Sequence, residues 1–217
     1  MNILIINNST TDYSIALINK YNIILCGITI NNNDYINYLL TTINNVFFTS
    51  NISLKELHAL AFNNGPGSFT KIRIINSIAQ GLSFSNNIPL ISISNLVVLA
   101  EGAWRCTKIK KILVANYAYN NKLYVAKYCK NSNNWYLKNK IILLDIKDIV
   151  AFCNNLLGNW VLTGNFWFLY PRKKSISNKF TILNSNNCNI LDMCALVINK
   201  FNVNKLTKLK NIVPIYI

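Results

Sequence analysis

The sequence predicts a duplicated α/β protein. Continuous apolar runs of strand length alternate with apolar stripes at helical spacing. Capping residues and glycine–proline turns punctuate them. The order of three strands, helix, strand and helix then occurs twice along 217 residues, with no evident identity between the halves and a joint near 106–108.

The elements follow in chain order. Asn2 to Asn7 is a continuous apolar run and reads as a buried strand. Tyr13 to Ile18 and Asn22 to Ile30 read as strands joined by a turn at 19–21. Asp34 caps a helix to about Phe48, and Ser53 with Glu56 forms a capping-box pattern before the strand Leu57 to Phe62. The run Asn63-Asn64-Gly65-Pro66-Gly67-Ser68-Phe69-Thr70-Lys71-Ile72-Arg73 then reads as a rigid turn feeding a helix. Gly65 and Gly67 reach backbone angles closed to other residues, and Pro66 fixes φ between them. Ser68 is the expected N-cap of a helix from Phe69 to Phe84. Such a helix start suits a phosphate or a partner's polar edge, and equally an ordinary loop before a core helix. Pro89 to Ile93 is a strand, and Ser94 caps a helix to about Arg105.

In the second half, Lys111 to Tyr117, Lys122 to Lys130 and Trp135 to Leu144 read as strands. Asp145 caps a helix from Ile146 to Leu157, with Asp148 in its first turn. Trp160 to Thr163 is a strand, Ser175 to Asn189 a loose loop, Leu191 to Phe201 a helix, and Ile212 to Ile217 an extended tail. The two lobes are expected at 1–106 and 107–217, with the last helix and tail packing back on the first.

Apolar residues make up 52% and charged residues 13%, which excludes a disordered chain. The net charge is +15, from 22 Lys+Arg against 7 Asp+Glu. Attraction to nucleic acid is one reading, with Arg105, Lys108, Lys110 and Lys111 as the candidate RNA contacts. Drift in an AT-rich genome is the other, because Asn, Ile, Lys and Tyr are all heavily used. The cysteines at 26, 106, 129, 153, 188 and 194 lack zinc-ribbon and redox spacing. They are expected to be reduced and mostly buried in a cytoplasmic protein. No run approaches the ~20 apolar residues needed to span a bilayer.

Two helices carry more apolar surface than one core requires. In the helix after the glycine loop, Ile72, Ile75, Ala79 and Leu82 form one stripe, and Ile74, Ile78 and Gly81 a neighbouring one. In the earlier helix, Ile36, Leu39 or Leu40, Ile43 and Phe47 form one face, and Tyr35, Tyr38 and Val46 extend it. A deeply buried helix pair and a helix-on-helix interface with another protein both fit this pattern.

Catalytic chemistry is hard to assemble from these residues. His58 is the one histidine, which excludes a histidine-pair metal site, and no nucleophile–base–orienter motif lies beside it. The strand ends carry Asn7 and Asn116-Tyr117 where a metal–nucleotide lobe would place carboxylates.

The glycine loop with Arg73 and Ile78-Ala79-Gln80-Gly81-Leu82 resembles the signature of the bacterial TsaB (YeaZ) family. The opening strands, Glu101-Gly102-Ala103-Trp104-Arg105, Leu123-Tyr124-Val125-Ala126-Lys127-Tyr128, Trp160-Val161-Leu162-Thr163-Gly164 and Val213-Pro214-Ile215-Tyr216 match it in family order. The resemblance implies a two-lobed actin-like, Hsp70-like ATPase fold made of duplicated ribonuclease-H-like lobes. It implies a non-catalytic role in making N6-threonylcarbamoyladenosine in tRNAs that read codons beginning with adenine. The partners implied are the catalytic, metal-holding paralogue TsaD and the ATPase TsaE, with tRNA met through the complex and a homodimer when the chain is alone. The partner face would then carry Tyr35, Tyr38, Leu39, Thr42 and Val46 of the first helix and Ile74, Ser77, Ile78 and Gly81 of the second. The signature loop would be Gly65, Pro66, Gly67, Ser68, Phe69, Thr70 and Arg73. No cofactor or metal is expected on this chain alone, a nucleotide belonging at most to the partner interface. Asn7 stands where the family usually has Asp, Lys71 where it has Gly, and Tyr117-Ala118-Tyr119 where it has Asp-Ala-Arg. An independent phosphotransferase or peptidase of the same fold, and a free-standing RNA-binding protein, are the competing functions.

Overall fold

In the computed structural model, residues 1–8, 12–19, 23–29, 35–132, 134–170, 180–183 and 189–203 are described. Strands β1 (Ile3–Asn8), β2 (Asp12–Ile18), β3 (Ile23–Thr29), β4 (Ala59–Asn63) and β5 (Leu90–Ile93) form one sheet in the order β3-β2-β1-β4-β5. The β1–β2 and β2–β3 pairs are antiparallel, and β1–β4 and β4–β5 are parallel. Ile3, Leu4, Ile5 and Ile6 are all fully buried, so the central strand is covered on both faces. That double burial is why β1 reads as an unbroken apolar run rather than an alternation.

Each face has its own cover. Helices α1 (Tyr35–Ser50) and α2 (Phe69–Asn86) send Leu39, Ile43, Val46, Ile75 and Ala79 into one cluster with Leu4, Ile6, Ile15, Leu60 and Phe62. The last helix, α6 (Ile190–Asn202), packs against β1, β2 and β5 from the other side. Its Lys200 Nζ donates to Ser92 O at 2.8 Å. Met1–Asn95 and α6 belong to one compact unit, and Leu96–Asn189 forms the other.

The second unit repeats the strand order. Strands β6 (Lys111–Tyr117), β7 (Lys122–Asn131), β8 (Asn134–Leu137), β9 (Ile142–Asp145), β10 (Trp160–Thr163) and β11 (Phe180–Ile182) run β11-β10-β6-β7-β8, with β9 also paired to β7. With β6 in the place of β1, the sequence of antiparallel and parallel pairs is the same. Helices α4 (Ile149–Asn154) and α5 (Asn165–Leu169) cover one face through Ile149, Cys153, Phe166 and Trp167. Helix α3 (Asn95–Thr107) covers the other through Leu96, Leu99, Ala100 and Ala103.

Several sequence expectations change here. The single strand from Trp135 to Leu144 is two strands, β8 and β9, both paired to β7. The break falls at Lys138-Asn139-Lys140, where Asn139 has φ 73°, a left-handed angle that ends a strand. The helix after Asp145 is a 3-10 turn, Ile146–Asp148, followed by the short α4, and Asp145 makes no side-chain cap bond. Ser68 occupies the N-cap position of α2 but its hydroxyl makes no cap bond either. Strand β11 lies inside the stretch expected to be a loose loop, and α5 carries no sequence signal strong enough to have been expected. Asp34, the turn residues at 20–21 and the tail from 212 lie outside the described residues.

The buried Lys130 Nζ meets Glu101 Oε2 at 2.6 Å, tying β7 to α3. Trp135 Nε1 donates to the same oxygen, and the Lys130 ammonium lies 3.3 Å from the Trp104 ring centroid. Removing one partner strands a charge in the interior, so Glu101→Ala should cost about 3–5 kcal/mol in a urea melt. A loss below about 1 kcal/mol would mean that water already screens the pair.

Cys106 is exposed, whereas Cys153 and Cys194 are buried, and burial pushes both of those thiols up to about 12. Iodoacetamide at neutral pH should therefore modify Cys106 quickly and leave Cys153 and Cys194 untouched until urea is added. Peptide mapping by mass spectrometry reads the difference directly.

Candidate partner-binding surface and its glycine loop

The loop between β4 and α2 is held by asparagines. Gly65 has φ 87°, an angle that favours glycine, and the Gly65–Pro66 bond is cis. Asn95 grips the loop twice: its N–H donates to Gly65 O at 2.8 Å and its Nδ2 to Pro66 O at 3.2 Å. Its Oδ1 accepts a bond from Asn63 Nδ2. Asn64 N–H donates to Ile93 O at 2.8 Å, and Asn76 Nδ2 donates to Asn64 Oδ1 at 3.3 Å. All four asparagines are buried, so these bonds are not shared with bulk water. The chain thus fastens the ends of β4 and β5, the loop and α2 to one another. A Cβ on Gly67 would meet only ordinary contacts, so glycine there is not demanded by space.

Beyond the loop, α2 turns one stripe outward. Thr70, Arg73, Ser77, Gly81 and Phe84 are exposed, with Ile74 and Ile78 half-buried beside them. Phe69 is also exposed, and the Arg73 guanidinium lies 3.9 Å from its ring centroid. A Cβ on Gly81 would meet nothing within 4 Å, so the outer side of this glycine is open. On α1, Tyr38, Leu40 and Phe48 are exposed, Phe48 at 88%. Thr42 is half-buried and returns its hydroxyl to Tyr38 O at 2.8 Å. Leu39 and Val46, expected on the partner face, are fully buried in the chain's own core. Seven residues apart, they lie on one stripe, and that stripe faces the sheet. The side chain of Tyr35 lies outside the described residues.

The family model described as "TsaD: tRNA N6-adenosine threonylcarbamoyltransferase" matches residues 29–143. The "tRNA threonylcarbamoyladenosine biosynthesis protein TsaB" of Buchnera aphidicola subsp. Baizongia pistaciae is 32% identical over 187 residues, 85% of this chain and 84% of that protein. The protein of the same description from Escherichia coli is 32% identical over 176 residues, 79% of this chain and 74% of its own length. This chain belongs to the TsaB (YeaZ) family. The solved structure of YeaZ from Pseudomonas aeruginosa has the same fold, with a TM-score of 0.82 at 20% identity over 100% of this chain and 99% of that one. The duplicated α/β fold expected from the sequence is therefore the fold of the TsaB family.

Several of the positions where the resemblance led one to expect other residues make contacts within this chain. Asn7 is buried and its Nδ2 donates to Ser14 Oγ at 3.0 Å, joining β1 to β2. Lys71 Nζ lies 5.4 Å from the Tyr13 ring centroid. At the matching strand end of the second unit, Asn116 Oδ1 accepts from Asn165 N–H at 3.0 Å, and Asn165 Oδ1 accepts from Tyr117 N–H at 2.7 Å. Gly164 between them has φ 115°, and a Cβ there would collide with Ala115 O. His58 is exposed; its N–H donates to Asn2 O at 2.8 Å and its Nδ1 accepts from Asn2 N–H at 3.1 Å, a strand-edge role. Among the described residues, no three His, Cys, Asp or Glu side chains gather as a metal group would require.

The four basic candidates do not share a face. Arg105 lies in the last turn of α3 and Lys108 follows the helix, with Lys108 Nζ 4.8 Å from the Trp104 ring centroid. Lys110 is exposed beside them. Lys111 faces the α4 side of the sheet, where Trp160 and Leu157 lie. Sequence position joined these residues, but Lys111, the first residue of β6, faces the α4 side while Lys108 lies against Trp104 of α3. The asparagine grip on the loop was equally hidden, because Asn95 is 29 residues from Pro66.

Asn95→Ala should cost about 1–3 kcal/mol in chemical denaturation, since it removes the amide that meets Asn63 Nδ2 and Pro66 O while leaving the backbone bond to Gly65 O in place. An unchanged midpoint would show that the loop is held by its own turn chemistry.

Proposed function

We propose that this chain is a non-catalytic subunit of the machinery for tRNA threonylcarbamoyladenosine biosynthesis. It acts with TsaD and TsaE in transferring the threonylcarbamoyl group from its adenylate to N6 of adenosine 37. Membership of the TsaB family supports the process. The observation that carries the subunit role is the outward stripe of α2 and α1. Gly81 stands open among Ile74, Ile78 and Phe84, and Tyr38, Leu40 and Phe48 are exposed on the neighbouring helix. Apolar side chains beside a bare glycine let a second helix approach closely, as in a helix-on-helix interface. The same face accepts a second copy of this chain when TsaD is absent. No helix among the described residues is long and apolar enough to cross a membrane, and the proposed partners place the chain in the cytoplasm.

Gly81→Trp tests the face without disturbing the core, because its side chain would project into open space. It should leave the melting temperature within about 2 °C and weaken TsaD pairing at least tenfold, about 1.4 kcal/mol. Unchanged affinity with an intact fold would move the interface elsewhere. Reconstitution of tRNA modification with TsaD, TsaE and this chain, leaving out one at a time, tests the role itself. Robust transferase, kinase or peptidase turnover by this chain alone would overturn it.

A further inference from the structure

Three lysines stand on one face of the second sheet with no acidic partner among the described residues. Lys111 opens β6 opposite Cys129 of β7, which in turn faces Tyr136 of β8. Two residues along β7, Lys127 stands opposite Leu113. Lys138, just past β8, donates its backbone N–H to Lys127 O at 2.7 Å, so these two lysines are direct neighbours across the strands. Directly opposed residues, and residues two apart, share a face. Leu113 lies in the cluster under α4 and α5, which fixes that face for all three lysines and for Tyr136. Lys111, Lys138 and Tyr136 are exposed, and Lys127 is half-buried.

Folding holds two of these cations in place. The Lys127 ammonium lies 5.0 Å from the Phe152 ring centroid and that of Lys111 lies 6.0 Å from the Trp160 ring centroid. Lys111 Nζ also reaches Leu157 O at 3.5 Å, beside Gly158. Like charges placed directly opposite on a sheet repel. Their neighbour Lys130 is paired with Glu101, but on the opposite face of the sheet, where it does not relieve them. Asp145 stands at the other end of β7, opposite Lys122. A multivalent anion along the row would offset the repulsion.

We propose that this face binds RNA, with Lys111, Lys127 and Lys138 contacting the phosphodiester backbone and Tyr136 offering a ring for stacking. A row of cations beside an exposed aromatic is the pattern of sequence-tolerant nucleic-acid binding. The net charge of +15 favours the same polyanion. The face lies across the sheet from α3, so it is separate from Arg105 and Lys108. The choice of tRNA as the RNA rests on the role proposed above; the row of charges does not.

The test is binding of bulk tRNA to the purified chain, by fluorescence anisotropy over a range of salt. Lys127→Gln with Lys138→Gln should weaken binding about tenfold and lower the slope of log K against log salt by about 1.5–2, as for two lost phosphate contacts. Arg105→Gln with Lys108→Gln should stay within about twofold of the parent. Lys138→Gln alone should hold or raise the melting temperature while weakening binding, which separates lost contact from lost fold. An unchanged affinity and slope in the double variant would overturn the proposal, as would a lower melting temperature for Lys138→Gln. Displacement of tRNA by polyglutamate as readily as by unlabelled tRNA would replace RNA with an acidic polypeptide. Failure to pair with TsaD, with tRNA binding retained on this face, would sink the subunit role and leave this proposal standing.

Discussion

A strand that is apolar on both faces must be roofed twice, and this requirement organises the first unit. Ile3 to Ile6 of β1 cannot meet water on either side. Helices α1 and α2 therefore cover one face, α6 covers the other, and the parallel neighbour β4 follows by a crossover through α1. A helix that roofs a sheet presents only part of its circumference to that sheet. What remains on α1 and α2 is an outer side that carries Tyr38, Leu40, Phe48, Phe69 and Phe84, with open space beside Gly81. The proposed partner surface is thus a by-product of how the core is closed.

The asparagine-held loop connects that outer side to the sheet. Asn95 fixes Gly65 and Pro66, and Asn76 of α2 reaches Asn64. The direction in which α2 leaves the sheet is set by buried hydrogen bonds rather than by an N-cap hydroxyl. Amide side chains suit this task because each offers donors and acceptors without a charge to desolvate. The second unit uses the same device at Asn116, Asn165 and Gly164. Two copies of one strand order have therefore each kept an amide at the strand end, where it fastens the next turn.

The two units differ in what their helices cover. In the second, α4 is only Ile149–Asn154, and the end of the sheet beyond it is left to Lys111, Lys127, Lys138 and Tyr136. The opposite face is closed tightly by α3 and the buried Glu101–Lys130 pair, which joins a helix to the strand beneath it. Lysines on β7 thus have different fates three residues apart. Lys127 faces the α4 side and Lys130 the α3 side, because successive residues alternate across the sheet.

Most of the order of strands and helices, the glycine turn, the apolar stripes of α1 and α2 and the family signature are legible in the chain as written; β11 and α5 are not. Those signals are local: a period of two or 3.6 residues, a capping pattern, or a motif read in one pass. The same reading put Leu39 and Val46 on a shared stripe without saying which way that stripe faced. Packing alone turned them to the sheet and left Tyr38 and Gly81 outward. It likewise split Trp135–Leu144 at Asn139, brought Asn95 to Pro66 and Glu101 to Lys130, and parted Lys111 from Lys108. Apart from the break at Asn139, which is a local left-handed turn, those outcomes depend on residues 29 or more positions apart, or on which side of a pleat or helix a residue falls. Periodicity shows that a face is buried, and the partner that buries it is fixed only when distant segments pack.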